Sequence, residues 1–189
     1  MKWQTFQAFN VTDEQSSDSA FWPKATEAYE HFKKFRSEVI EAGLFIESGL
    51  TNVLLDFLSG PNQQRRDILK EQVLEAEFCS FFQKWKLLRQ LLELYAESLG
   101  LDETKMKELR KELKDVISLR NRFAHGVIYV DAQTFAVWIE YVEGGKHFEQ
   151  ILEADLVNAK DACDRVHASL WHVHEAIAAR GYELPAPKA

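Results

Sequence analysis

The spacing of the apolar residues changes near Gly126, and this change divides the chain into helical and extended parts. Before Gly126, apolar residues recur at three- and four-residue steps, which is typical of helices with one buried face. Residues 127–152 instead form β-branched and aromatic runs around Asp131-Ala132-Gln133 and Gly144-Gly145, which is typical of an antiparallel meander. The helical spacing then returns. The sequence therefore predicts an all-α, up-and-down helical bundle with a small antiparallel β-meander inserted before the last helix.

Capping and stop residues set the expected ends of five helices. Ser and Asp are good N-caps, Pro is tolerated in a first turn, and Gly ends helices. Gly126 is expected to close the fourth helix as a left-handed residue. The five helices are expected to run from Trp22-Pro23 to Gly60-Pro61, from Asn62 to Ala76, from Ser80 to Gly100, from Asp102 to Gly126 and from Asp155 to Gly181.

The length of the chain fits one ordinary domain. We expect a partly ordered N-terminal arm over residues 1–20, a single helical domain over residues 21–181 and a C-terminal tail over residues 182–189. A hydrophobic fraction of 46% and a charged fraction of 28% are those of a soluble globular protein. Because no apolar run is long enough to span a membrane or to form a signal peptide, we expect a cytoplasmic protein with no membrane contact.

The cysteines and histidines do not predict a metal site. Cys79 and Cys163 lie in helical patterns without a CxxC spacing, so they are expected to be reduced thiols. On the last helix only His167 and His174 share a face, and the i, i+4 spacing of helical zinc ligands is absent. The sequence thus predicts neither a metal nor a cofactor.

Charge is distributed unevenly along the chain. The formal net charge of −7 argues against a protein that coats nucleic acid indiscriminately, because such binding depends on neutralising phosphates. Between Lys105 and Arg122, however, seven basic residues stand against three acidic ones. This run is either a solvated helix face or a patch that attracts anions.

Arg120 falls on the buried face of the fourth helix. Steps of seven from Met106 through Leu113 reach Arg120, where the pattern calls for an apolar residue. An unpaired buried charge is unfavourable by several kcal/mol, so we expect a carboxylate, a bound anion or a partner surface opposite it.

His125 is the second residue of interest, five positions after Arg120. On an ideal helix the two lie about 140° apart and do not share a face. Either the helix unwinds at residues 124–126, or the pair converges with copies from a second subunit. Asn121, one turn before His125, can hydrogen-bond the imidazole.

This pair suits phosphodiester cleavage without a metal. An imidazole can exchange a proton with a ribose 2′-OH or a leaving oxygen, and a guanidinium can stabilise the charge on the phosphate. A purely structural interpretation is also open, because Arg and His near a helix C-terminus complement the helix dipole.

The run Arg120-Asn121-Arg122-Phe123-Ala124-His125-Gly126 resembles the Arg-polar-x-x-x-His signature of HEPN (higher eukaryotes and prokaryotes nucleotide-binding) domains, many of which are metal-independent ribonucleases. Residues 81–88 are similar to the Phe-x-x-Lys-x-x-Leu-Leu helix of several such families, and residues 47–58 resemble their earlier amphipathic helix. The resemblance covers residues 36–178. The same motifs also resemble the mannitol operon repressor-like branch of this fold.

The resemblance implies a homodimer in which two Arg-His motifs face each other in a cleft that acts on RNA. Arg120 would contact the scissile phosphate and His125 would be the acid/base or phosphate-positioning group. Asn121 and Arg122 would support them, as would Glu47 and Lys84. Lys84 stands in an apolar run. The alternative to a role in the site is that its aliphatic stem is buried and its ammonium lies in water.

Three functions are therefore open. The leading one is a metal-independent endoribonuclease in a toxin–antitoxin or phage-defence role, restrained by a separate antitoxin such as a nucleotidyltransferase. The second is a non-catalytic regulator or scaffold, like the mannitol repressor, that binds a protein or a nucleotide. The third is a structural Arg-His pair without a site.

Overall fold

The computed structural model describes residues 7–184 and is mostly helical, with a small four-stranded sheet. The expected all-α class with a small meander is thus only roughly right, because the sheet has four strands. None of the helices over residues 7–184 is both long and apolar enough to cross a membrane. The elements are β1 (Gln7–Phe9), α1 (Asp13–Ser17), α2 (Phe21–Ser59), α3 (Gln63–Leu69), α4 (Phe81–Tyr95), α5 (Glu103–His125), β2 (Val127–Asp131), β3 (Val137–Val142), β4 (Lys146–Gln150) and α6 (Glu153–Ala178).

The chain forms two compact units, each with its own apolar core. The first unit contains the described residues up to Glu41 together with Leu119–Lys160, and the second contains Ala42–Ser118 and the described residues from Asp161 onward. The helices α2, α5 and α6 each contribute residues to both units. The single domain expected over residues 21–181 stays a prediction for the chain as a whole.

The core of the first unit is built around Phe123, which lies on α5 and is almost fully buried. Its ring stacks on Phe32 with 5.9 Å between centroids and meets the ring of Phe35 edge-on at 5.5 Å. Ile128 and Ile139 bring the sheet into the same cluster. This packing holds the last turn of α5, which carries the Arg-His motif, in a fixed position.

The predicted antiparallel meander is present as β2, β3 and β4. Ile128 pairs with Ile139, and Glu140 pairs with Phe148. The second predicted run, from Phe135 to Val142, begins two residues early, because Phe135 has a left-handed φ of 56° and β3 starts only at Val137.

The sheet also contains a strand from the N-terminal arm. Strand β1 pairs with β2 in parallel, with Ala8 opposite Val130. Helix α1 follows, with a capping box formed by Thr12 and Gln15. Within the arm, Gln7–Phe9 and Asp13–Ser17 thus take defined secondary structure, whereas the expectations for residues 1–6 lie outside the described residues.

In the second unit, several predicted helix boundaries are confirmed. Ser80 and Gln83 form a capping box at the start of α4, and the Asp102 carboxylate accepts a 2.8 Å hydrogen bond from the Lys105 backbone N–H. The predicted helix over residues 62–76 is not one regular α-helix, since α3 continues as a π-helical turn over Lys70–Leu74. The core is rich in leucines from α2, α4, α5 and α6, among them Leu50, Leu54, Leu88, Leu113 and Leu170.

Gly126 and Asp155, which were predicted at the ends of helices, have other roles in the structure. Gly126 does not take a left-handed φ; a Cβ atom at this position would lie 2.6 Å from the Arg122 carbonyl oxygen and 2.6 Å from Ile139. Glycine is therefore required there by close packing rather than by backbone conformation. Asp155 lies in the first turn of α6, which begins at Glu153, and accepts a 2.8 Å hydrogen bond from the Leu152 N–H.

Candidate functional site

The Arg-His motif lies at the C-terminal end of α5, within the first unit. The helix stays regular through His125, and the Gly126 N–H donates a 2.8 Å hydrogen bond to the Arg122 carbonyl oxygen. The expectation that the helix unwinds at residues 124–126 is therefore wrong. Arg120 and His125 keep the offset of about 140° that a regular helix gives them.

Arg120 is half-buried and incompletely satisfied. Its Nη1 atom donates a 3.1 Å hydrogen bond to Asn121 Oδ1, while its Nε atom is buried without a hydrogen-bond partner. Within residues 7–184, Arg120 forms no ion pair. A buried donor without an acceptor is destabilising by about 1–3 kcal/mol, so this guanidinium is suited to receive an anion.

Asn121 serves the arginine rather than the histidine. Its side-chain oxygen accepts from Arg120, and it makes no hydrogen bond to the His125 ring among the described residues. The amide therefore orients the guanidinium, and the expected Asn121–His125 contact is absent from this part of the chain.

Arg122, unlike Arg120, is held by the meander. Its Nη1 atom lies 3.2 Å from Glu149 Oε2, and its guanidinium lies over the Tyr141 ring, 4.8 Å from the centroid. Tyr141 also donates a 3.0 Å hydrogen bond to Glu149 Oε1. Burial, and then the hydrogen bond to Glu149, raise the pKa of the Tyr141 hydroxyl. The phenol is therefore uncharged at neutral pH.

A second imidazole belongs to this group. His147 stacks on Tyr141 with 5.0 Å between ring centroids, and its Nε2 atom lies 2.9 Å from the Glu143 carbonyl oxygen. The sequence reasoning missed His147. The alternation of β3 and β4, which places residues 141 and 147 opposite each other, is the signal that identifies the pair.

His125 is exposed at the end of α5, and Arg36 reaches the same helix end from α2. Arg36 Nη2 donates a 3.0 Å hydrogen bond to the Ala124 carbonyl oxygen. A cation at a helix C-terminus satisfies a free carbonyl and complements the helix dipole. Arg36 was also missed, because a charged residue beside an apolar stripe carries no signal of its partner.

Glu47 and Lys84 lie in the second unit and pair with each other. Lys84 Nζ lies 2.8 Å from Glu47 Oε1, and Lys84 is only 5% exposed. The alternative in which the ammonium reaches water is therefore wrong. Burial raises the pKa of the nearby Cys79 thiol, with Lys84 opposing this shift and Glu47 adding to it.

A further charged group in the second unit was not predicted. Asp56 is buried and contacts both Arg66 and His174. The signal was an acidic residue inside the apolar run of residues 53–58. Across residues 7–184, no three His, Cys, Asp or Glu side chains cluster in a way that could hold a metal ion. Cys79 and Cys163 are free thiols, as predicted.

Comparison with known proteins gives no relative: no protein-family model, no curated protein and no solved structure matches this chain. The chemistry of the site therefore rests on its own geometry. That geometry offers an unpaired guanidinium, an exposed imidazole and a second arginine held in place by a carboxylate.

Proposed function

We propose that this chain is a metal-independent endoribonuclease of the HEPN type, which cleaves RNA as a cytoplasmic homodimer in a toxin–antitoxin or phage-defence role. The observation that carries the proposal is the difference between the two motif arginines. Arg122 is neutralised by Glu149, whereas Arg120 has no carboxylate partner within the described residues; the Nε atoms of both arginines are buried without an acceptor. A phosphate oxygen supplies the missing acceptor.

In this mechanism His125 takes the proton from a ribose 2′-OH, and the resulting 2′-oxygen attacks the adjacent phosphorus. The bond from phosphorus to the 5′-oxygen breaks, and an imidazolium returns a proton to that leaving oxygen. The products are a 2′,3′-cyclic phosphate and a 5′-hydroxyl. Arg120 binds the non-bridging oxygens and stabilises the charge that builds on them.

The regular end of α5 supports a site made by two copies of the chain. Because Arg120 and His125 lie about 140° apart on one helix, both reach one phosphate most directly when each comes from a different subunit. Arg122, Tyr141 and Glu149 then position the helix end instead of contacting the phosphate.

The test is cleavage of a fluorescent single-stranded RNA in excess chelator. The wild type should cleave it, and Arg120→Ala and His125→Ala should each lower the rate by about 10²–10⁴-fold. Lys111→Ala, an exposed cation on the same helix, is the control and should leave the rate unchanged. A substrate with 2′-deoxyribose at the cleaved position should remain intact.

Mixed subunits test the shared site. A heterodimer of Arg120→Ala with His125→Ala contains one complete Arg-His pair across its two chains, so it should regain part of the activity. If each chain held a complete site by itself, the mixture would stay inactive.

A folded wild type that cuts no RNA overturns the ribonuclease proposal. Loss of a bound protein or nucleotide on Arg120→Ala, with RNA intact throughout, is instead the result expected of the non-catalytic regulator.

A further inference from the structure

A buried carboxylate in the second unit holds two donors side by side. Asp56, which is 1% exposed, accepts from Arg66 Nη1 at 2.6 Å through Oδ1 and contacts His174 Nδ1 at 2.7 Å through Oδ2. With Nδ1 bound to the carboxylate, the free ring nitrogen of His174 is Nε2, and it makes no hydrogen bond within residues 7–184. Asp56 thus orients both side chains, and its own carboxylate is buried from solvent.

Two cavities share these donors. One has a volume of about 230 Å³ and includes Tyr182, and the other has a volume of about 400 Å³; Arg66 and His174 line both. Pockets for small molecules usually measure about 300–1,000 Å³. The larger cavity is therefore of the size that a small organic ligand requires.

The larger cavity is basic and aromatic. Its lining contains Arg66, His167 and His174 but no Asp or Glu, although the whole chain has a net charge of −7. The buried Asp56, which lines the smaller cavity, pairs with Arg66 and His174. Phe45 and Trp171 also line it and are 59% and 55% exposed. Each ring already lies beside a histidine: Phe45 is 4.8 Å from His167 and Trp171 is 5.1 Å from His174, between ring centroids.

We infer that this cavity binds a small molecule in which a planar aromatic ring carries an anionic group. The anion pairs with the N–H groups of Arg66 that Asp56 leaves free. It also pairs with Nε2 of His174 when that ring is an imidazolium, since the Nδ1 proton is already donated to Asp56. The ring stacks on Trp171 or Phe45, whose exposed faces are otherwise left to water. The site does not depend on the proposed RNA cleavage, since Arg120 and His125 belong to the first unit.

Isothermal titration calorimetry of the full chain with four probes tests this site. Adenosine monophosphate and indole-3-acetate each carry a ring and an anion, whereas adenosine and inorganic phosphate carry only one of the two. We expect at least one of the first pair to bind at least tenfold more tightly than either of the second pair. The member that binds identifies the anion as a phosphate or a carboxylate. Binding of no probe, or of phosphate as tightly as the ring-bearing anions, overturns the inference.

Two variants locate the site. Trp171→Ala should weaken the ring-bearing probe at least tenfold, while Phe78→Ala, an equally exposed ring outside the cavity, should leave binding unchanged. Arg66→Met should also weaken the probe, and its far-ultraviolet circular dichroism shows whether it folds. Binding that survives Trp171→Ala and Phe45→Ala together overturns the assignment, whatever the outcome for Arg66.

Discussion

Arg36 on α2 donates a hydrogen bond from Nη2 to the carbonyl oxygen of Ala124 on α5, at a distance of 3.0 Å. The two residues are 88 positions apart in the sequence. Together with the contacts of the Phe123 ring with Phe32 and Phe35, this bond joins the two chain segments of the first unit at the turn that carries His125. Since the last carbonyls of a helix lack partners within it, the bond also fixes a helix end that would otherwise fray.

Replacing Arg36 should therefore affect the site without touching the substrate. Arg36→Met keeps an unbranched apolar stem and removes the donor, so we expect a loss of about 1.5–3 kcal/mol in the free energy of unfolding. Under the proposed function, kcat for RNA cleavage should fall severalfold while KM stays the same. Lys34→Met, at an exposed neighbouring position, is the control for both measurements. An unchanged kcat together with a raised KM would show that Arg36 binds RNA directly.

Gly126 should not tolerate a side chain. In Gly126→Ala the new Cβ atom meets the Arg122 carbonyl oxygen and Ile139 at 2.6 Å, so the free energy of unfolding should fall by about 1–3 kcal/mol. Gly145→Ala, in the β3–β4 turn, meets no atom within 4 Å and has no left-handed φ, so its stability should change by less than about 0.5 kcal/mol. Urea unfolding of the two variants gives both values, and equal losses would contradict the packing argument.

The buried pair of Glu47 and Lys84 should show unequal single-variant effects. Glu47→Gln leaves the ammonium of Lys84, whose side chain is 6% exposed, without its partner, and should lower the free energy of unfolding by about 3–5 kcal/mol. Lys84→Met leaves a carboxylate that is 21% exposed and reaches water more easily, so its effect should be smaller. The double variant should recover part of the loss. A double variant as unstable as the sum of the two singles would show that the pair is not coupled.

Asp131 should make the stability of the first unit depend on acidic pH. Burial alone raises the pKa of its carboxyl, but hydrogen bonds from Thr134, Asn10 and Gln133 outweigh burial and hold the pKa below its usual value. Such a group contributes stability that is complete above its unfolded pKa, about 3.9, and that is lost as the pH falls through the lower folded value.

The variant Asp131→Asn should accordingly be less stable than the wild type at pH 7, and the difference should shrink as the pH falls below about 4. Asp115→Asn, at an exposed position on α5, should show no comparable trend. Thermal unfolding between pH 3 and pH 7 measures both, and a difference that grows toward low pH would give the opposite sign for the shift.

Local signals made most of the helical part predictable. Ser80 and Asp102 indicate helix starts because their side chains cap the first turn. The meander is predicted by the alternation of apolar and polar residues over residues 127–150. Strand β1 was not predictable in the same way, because three residues hold little local information and its partner Val130 is far away in sequence. The role of Gly126 was not predictable for a similar reason: the close contact that requires glycine there involves Ile139, which lies on another element.

At the candidate site, the sequence indicated which residues matter but not how they differ. Arg120 and Arg122 look alike in the motif, and only the position of Glu149 on β4 separates a neutralised arginine from an unpaired one. The alternative that puts the Lys84 ammonium in water follows a rule for isolated side chains, and this rule fails when a carboxylate such as Glu47 lies within reach. Partners across elements decide these roles, and residue spacing does not record them.

The first unit is assembled from two stretches of chain with most of the second unit between them, and this order has a consequence during synthesis. A ribosome that has made Arg36 must still add Ala42–Ser118 before it reaches the motif, and then the meander before Glu149 exists. At roughly 5–20 residues per second, several seconds pass between the synthesis of Arg36 and the synthesis of Glu149. The growing chain therefore carries no finished Arg120–His125 turn until Glu149 has been made, and any partner that restrains it has that interval in which to arrive.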